Sequence, residues 1–167
     1  MKRLLLLLSF LSAYNVRAQR VIESEKATDY STYIKGNNFE GAIFSESYNF
    51  NRFLNFQGKR FTPSIKEIIL VEKLLQKKLD TCNNSWRQSV FVHRHIRKYI
   101  RQYFGYINDK GEKIIYINAF IRNAEFTPEK LWRKDIVMVM DGGNSYWDIK
   151  VNLSTQQLFA FGVHGDA

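Results

Sequence analysis

The chain has 167 residues, with 45% hydrophobic and 15% aromatic side chains, two prolines, one cysteine and a formal charge of +9. That much apolar surface excludes a disordered chain, and the length suits one domain with a modest core. Two prolines exclude a Pro-rich linker, and one cysteine excludes an internal disulfide, so stability has to come from the core.

The N-terminus reads as a secretory leader. Lys2 and Arg3 precede an apolar run of Leu4 to Leu8, Phe10 and Leu11, broken only by Ser9. Val16-Arg17-Ala18 then puts small residues where a signal peptidase reads, so residues 1–18 are predicted to be a signal peptide cut after Ala18. The run is far below the ~20 residues that a spanning helix needs, and no later stretch qualifies. No cysteine stands near the cut to carry a lipid. Cleavage removes Lys2, Arg3 and Arg17 with no acid and leaves the chain basic. The expectation is an exported protein, periplasmic or secreted.

Residues 19–60 show no clear period. Phe39, Phe44, Tyr48, Phe50, Phe53, Leu54 and Phe56 are scattered among Asn, Ser and Gly. This predicts an irregular, aromatic-packed segment with one short strand or helical turn. Residues 61–167 read as an α+β domain. Its helix starts at Pro63 or Ser64, where Thr62-Pro63 gives a cap and Ser64 with Glu67 a capping box, and it runs to about Leu79. Ile65, Ile68, Ile69, Val71, Leu75 and Leu79 form the apolar stripe, with Lys66, Lys73 and Lys77 opposite. Lys77 and Lys78 suit the negative end of the helix. Asp80 to Ser85 is the stop. Residues 86–98 fit a short second helix better than a strand through Val90, Phe91 and Val92.

Strands are predicted over 99–108 and 114–121, joined by a turn at Asp109-Lys110-Gly111-Glu112 with glycine where a positive φ is wanted. Thr127-Pro128-Glu129 suggests one helical turn in the connection that follows. A third strand over 135–140 leads into Asp141-Gly142-Gly143-Asn144, a strong hairpin signal. Residues 146–153 alternate: Trp147, Ile149, Val151 and Leu153 face a core, and Tyr146, Asp148, Lys150 and Asn152 face water. After a turn at 154–157, residues 158–163 close the sheet with Phe159, Phe161 and Val163 on one face. The predicted fold is one main N-terminal helix and a short second one on an antiparallel meander of about five strands. The helix stripe should cover Trp147, Ile149 and Val151. A curled sheet would leave a concave apolar groove, the shape of cystatin-like and NTF2-like rolls, which share this element order.

Three stretches carry a resemblance. They are Arg101-Gln102-Tyr103-Phe104-Gly105-Tyr106-Ile107, then Gly111-Glu112-Lys113-Ile114-Ile115-Tyr116-Ile117-Asn118, then Asp141-Gly142-Gly143 with Tyr146-Trp147 and Lys150-Val151-Asn152-Leu153. Over about residues 62–167 the chain resembles a group of small uncharacterised exported bacterial proteins. The resemblance implies a bacterial exported domain and brings no catalytic residue with it.

Among chemical candidates the basic run comes first. Arg87, Arg94, Arg97, Lys98 and Arg101 occur with no acid between Thr81 and Asn108, interleaved with Tyr99, Tyr103 and Phe104. Cations beside aromatic rings bind polyanions by charge and stacking, so Arg94, Arg97, Lys98, Arg101 and Tyr103 are the candidate binding residues. The bland alternative is a solvated face that keeps the protein soluble. His93 and His95 share a face only on a strand, and a metal would also need His164 and Asp166. Asp141 with Asp148, or Glu112 with Glu125, are thin candidates for a glycosidase pair, better explained by their turns and strand alternation. Trp86, Trp132, Trp147 and the tyrosines suit a core more than a groove. Cys82 reads as an inert small residue after the helix. No Walker loop, G-x-S-x-G, H-E-x-x-H or paired C-x-x-C occurs, and no cofactor or metal is predicted.

The reading is a non-catalytic exported domain that binds a macromolecule or ligand through a sheet face, groove or basic surface. Partners would be an anionic glycan, another polyanion or an envelope protein. The runner-up is a small hydrolase acting on cell-envelope or extracellular material, which calls for His93, His95 and an acid converging in one pocket.

Overall fold

The computed structural model describes residues 19–49, 58–82, 92–122, 131–139 and 142–164. The signal-peptide expectation therefore lies outside the described residues. Three strands come first: β1 (Val21–Thr28), β2 (Ser31–Gly36) and β3 (Glu40–Phe44). A short β4 (Lys59–Phe61) leads into helix α1 (Ile65–Cys82). A 3₁₀ turn (Val92–Lys98) precedes β5 (Tyr99–Ile107) and β6 (Lys113–Ile121), and β7 (Tyr146–Asn152) and β8 (Gln157–Val163) complete the chain. The sheet order is β1-β2-β3-β5-β6-β7-β8, with β4 beside the end of β5. Every pair is antiparallel except β3 with β5, which run parallel from Glu40 opposite Ile100 to Phe44 opposite Phe104.

The α+β class holds, but the sheet has eight strands and the helix follows four of them. Of the strands in residues 19–60, β2 and β3 were hidden because both of their faces are covered. Tyr33 and Ile34 are neighbours in sequence and both buried, as are Ala42, Ile43 and Phe44. A strand packed on two sides needs no polar alternation, so its period is erased. Gly41 allows β3 to lie against β5: a Cβ there would stand 2.2 Å from the Arg101 carbonyl oxygen.

Helix α1 starts as its capping box requires. The Ser64 N–H donates to Glu67 Oε2 at 2.8 Å, and the Glu67 N–H donates back to Ser64 Oγ at 3.3 Å. Burial opposes ionisation of Glu67, yet the bonds from Lys113 and Ser64 outweigh it and hold the carboxyl below its usual range. The helix runs on to Cys82, so Lys77 and Lys78 fall short of its last turn, which holds no base. Ile68, Val71, Leu74, Leu75 and Leu79 pack on Trp147, Ile149 and Val151, as the stripe predicts, whereas Ile65 is exposed and Ile69 only half-buried.

The other face of the sheet is not in water. Phe44, Phe104, Tyr116, Phe120 and Tyr146 form a second core with Trp132. Residues 136–139 are not a strand, because β6 and β8 already occupy both edges of β7. The chain instead crosses the sheet face as a strap. Its backbone bonds go to side chains: Gln102 Nε2 donates to the Trp132 and Asp135 carbonyls, and Gln102 Oε1 accepts from the Val137 N–H at 2.9 Å. Asn118 Nδ2 donates to both Gln102 Oε1 and the Val137 carbonyl. Buried peptide groups must find partners, and two amides supply them here.

Gln156, in the turn before β8, and Ala160, within it, have positive φ, and the register with β7 shifts between Asp148 and Lys150. The bulge separates Phe159, which is exposed, from Phe161, which packs on Trp147 with ring centroids 5.9 Å apart. The expected shared face of Phe159, Phe161 and Val163 is broken for that reason.

Candidate functional site: a basic cleft beside helix α1

The predicted basic run divides where the chain changes conformation. Through Val92–Lys98 it forms 3₁₀ turns kinked at His95, and Arg94, Arg97 and Lys98 are exposed with His95 while Val92 and Ile96 turn inward. At Tyr99 the chain becomes strand, and alternate side chains then face the helix. Arg101 and Tyr103 are among them and are fully buried. They contribute no solvent-facing surface, which removes two of the five candidate binding residues. Tyr99 and Phe104 are buried too, so the expected stacking platform is internal.

The remaining three come together. Arg94, Arg97 and Lys98 line a cleft of about 580 Å³ with His93, His95 and Ile96 from the turn and Leu75, Gln76 and Asp80 from α1. That volume lies within the range of small-ligand sites, roughly 300–1,000 Å³. Helix geometry explains the second wall. Gln76 and Asp80 are one turn apart, and Leu75 sits on the adjoining buried stripe. The sequence offers the cations but not this wall, because an exposed Gln and Asp near a helix end carry no signal of their own.

Beneath the cleft lies a buried ion pair. Arg101 Nε is 3.3 Å from Glu72 Oε1, and both side chains are wholly excluded from solvent. The N–H is poorly aimed, so the contact is one of charge. The guanidinium spends its better donors elsewhere, on the Ile96 carbonyl at 2.7 Å and the Tyr99 carbonyl at 3.3 Å. Tyr103 completes the group by donating its hydroxyl to Glu72 Oε1 at 2.8 Å. Burial pushes the Glu72 carboxyl up, against the pull of Arg101 and Tyr103. Burial also raises the Tyr103 hydroxyl well above its usual range, which keeps it a donor. Arg101 thus ties α1, through Glu72, to the turn that carries Arg94, Arg97 and Lys98. Glu72 was the legible hint: a carboxylate inside the stripe of Ile68, Val71, Leu75 and Leu79 requires a buried partner.

The other candidates fall elsewhere. Among the described residues, no group of three or more His, Cys, Asp and Glu could hold a metal ion. His164 is not among the residues that line the cleft. It donates Nδ1–H to the Val139 carbonyl and sets Nε2 3.5 Å from Asp148 Oδ2. Asp148 therefore serves a clamp on the strap. Glu112 accepts from Asn108 Nδ2 at 2.8 Å within its turn. Trp132 and Trp147 are core, and Cys82 is half-buried at the helix end. Asp141, Glu125, Asp166, Arg87 and Trp86 lie outside the described residues. No described helix is long and apolar enough to cross a membrane. No known family, curated protein or solved structure matches the chain.

Proposed function

We propose that this is a non-catalytic domain, exported from a bacterial cell, that binds an anionic ligand in the cleft between α1 and the Val92–Lys98 turn. The observation that carries the reading is the lining: among the described residues, three exposed cations and two imidazoles stand with one carboxylate, Asp80. A low-dielectric wall concentrates such a field and attracts anions. The centre of each sheet face is filled by its own core, which favours the basic cleft over a sheet-face groove.

The test is retention on immobilised heparin across a salt series. The wild type should elute late and earlier with rising salt, since each neutralised anion releases a counterion. Arg94→Glu with Arg97→Glu and Lys98→Glu should abolish retention. Unchanged retention would remove the proposal. Export has its own check: mature protein recovered outside the cytoplasm should begin at Gln19.

A second reading, a small hydrolase, is favoured by one observation: His93, His95 and Asp80 line the same cleft. Turnover of envelope polysaccharide, lost on His95→Ala with the fold intact, would establish it. Turnover that survives His93→Ala and His95→Ala would place the chemistry elsewhere.

A further inference from the structure

The described residues begin with one whose side chain the fold does not use. Gln19 is 5% exposed, and neither its Nε2 nor its Oε1 has a protein partner. The next residue is tied down. The Asn37 N–H donates to the Arg20 carbonyl at 3.3 Å, and Arg20 Nε donates to Asn37 Oδ1 at 3.4 Å. Val21 then opens β1 and packs against the helix-side core. A chain end fixed this close to its tip resists trimming, because proteases act on slack chain. A cut after Ala18 thus makes Gln19 a first residue that stays first.

We propose that Gln19, once the leader is removed, closes on itself to give an N-terminal pyroglutamate. This rests on the export reading above and adds a modification site to it. Cleavage puts a new α-amine on the same residue that carries the unpartnered carboxamide. An α-amine titrates at about 7.7–8.0, so near neutral pH a useful share is the free base. Its nitrogen attacks Cδ of its own side chain. The N–Cδ bond forms, the Cδ–Nε2 bond breaks, and the amine proton leaves with Nε2 as ammonia. Nucleophile and electrophile belong to one residue, so no encounter has to be organised, and the step needs no metal, oxidant or co-reactant. Two features favour the closed form. The fold loses no hydrogen bond when the carboxamide goes. The uncharged lactam also removes a cation from beside Arg20, in a chain that is already basic. An ammonium left there has to be hydrated or paired, and the lactam does not.

Mass spectrometry decides this on the natural protein, collected outside the cytoplasm of its own cells and measured at once. Both the intact chain and the N-terminal peptide are weighed, the latter released by a Glu-specific protease as residues 19–23. Each mass should lie one ammonia below that of the unmodified sequence. Stepwise degradation from the N-terminus should give no signal. Pyroglutamyl peptidase, applied to the denatured protein, should restore the signal with Arg20 first. Gln19→Asn is the control. Its shorter side chain can close only to a strained four-membered ring, so its amine should stay free with the cut unchanged. A start at Gln19 with a free amine overturns the ring and leaves export standing. A start at any other residue overturns the cut and the ring together. A chain that keeps residues 1–18 overturns the export reading as well.

Discussion

On one side of the sheet, Trp147, Ile149 and Val151 meet a regular helix. On the other, Phe104, Phe120 and Tyr146 meet Trp132 and a strap with no regular structure of its own. The helix satisfies its own peptide groups, so its side of the sheet is free to be apolar apart from one buried ion pair. The strap cannot satisfy its own, so its side must carry Gln102 and Asn118. Two covers over one sheet thus demand opposite things of the strands beneath them. The helix side should unfold as a unit, and the strap should come away by itself.

The change that breaks the helix side most is Arg101→Ala, which strands Glu72 in the core. It should cost about 3–5 kcal/mol in urea unfolding, and Glu72→Leu with Arg101→Met should recover most of that. A loss typical of a surface change would show that the pair is not tying the helix down. On the strap side, Gln102→Leu leaves the Trp132 and Asp135 carbonyls and the Val137 N–H without partners, at about 2–3 kcal/mol. Hydrogen exchange should quicken at Val137 while the amides of Ile117 and Ile149 stay protected. If all three quicken together, the two sides are one cooperative unit.

Ser64→Ala removes the helix cap and should cost about 1 kcal/mol, read as a lower melting temperature with Val137 exchange unaltered. The smallest effect belongs to His164. Its bond to Asp148 raises the imidazole pKa against the opposing effect of burial, with the Val139 carbonyl assisting. The folded chain therefore holds this proton more tightly than the unfolded one. The stabilisation is complete below about pH 6.5 and is lost as pH rises through the raised value. Stability should therefore fall slightly between pH 5.5 and 8. Asp148→Asn should flatten it.

Much of the helix side was legible. The Ser64–Glu67 box, the α1 stripe and the alternation of Trp147, Ile149 and Val151 are local patterns that tertiary contacts left intact. The strap side was not. Asp148 and Lys150 read as solvent-facing, and they are half-buried because a distant segment crosses the face. Residues 135–139 have strand composition, but both sides of β7 are taken by β6 and β8. Gln102 and Asn118 resemble ordinary polar strand residues until their partners are known. In the site, Arg94, Arg97 and Lys98 were legible as a charge run. The fate of Arg101 depended on one event, the switch from 3₁₀ turn to strand at Tyr99, which charge patterning does not report.

The parallel seam between β3 and β5 has a consequence for anyone who shortens the chain. Five residues of β5, from Ile100 to Phe104, take β3 as their neighbour. Trimming away the first three strands would bare that row of amides and carbonyls on a stiff, largely apolar ribbon. Such a rim recruits the same rim on another molecule, so the clipped protein should precipitate or form fibres even with its helix and meander retained.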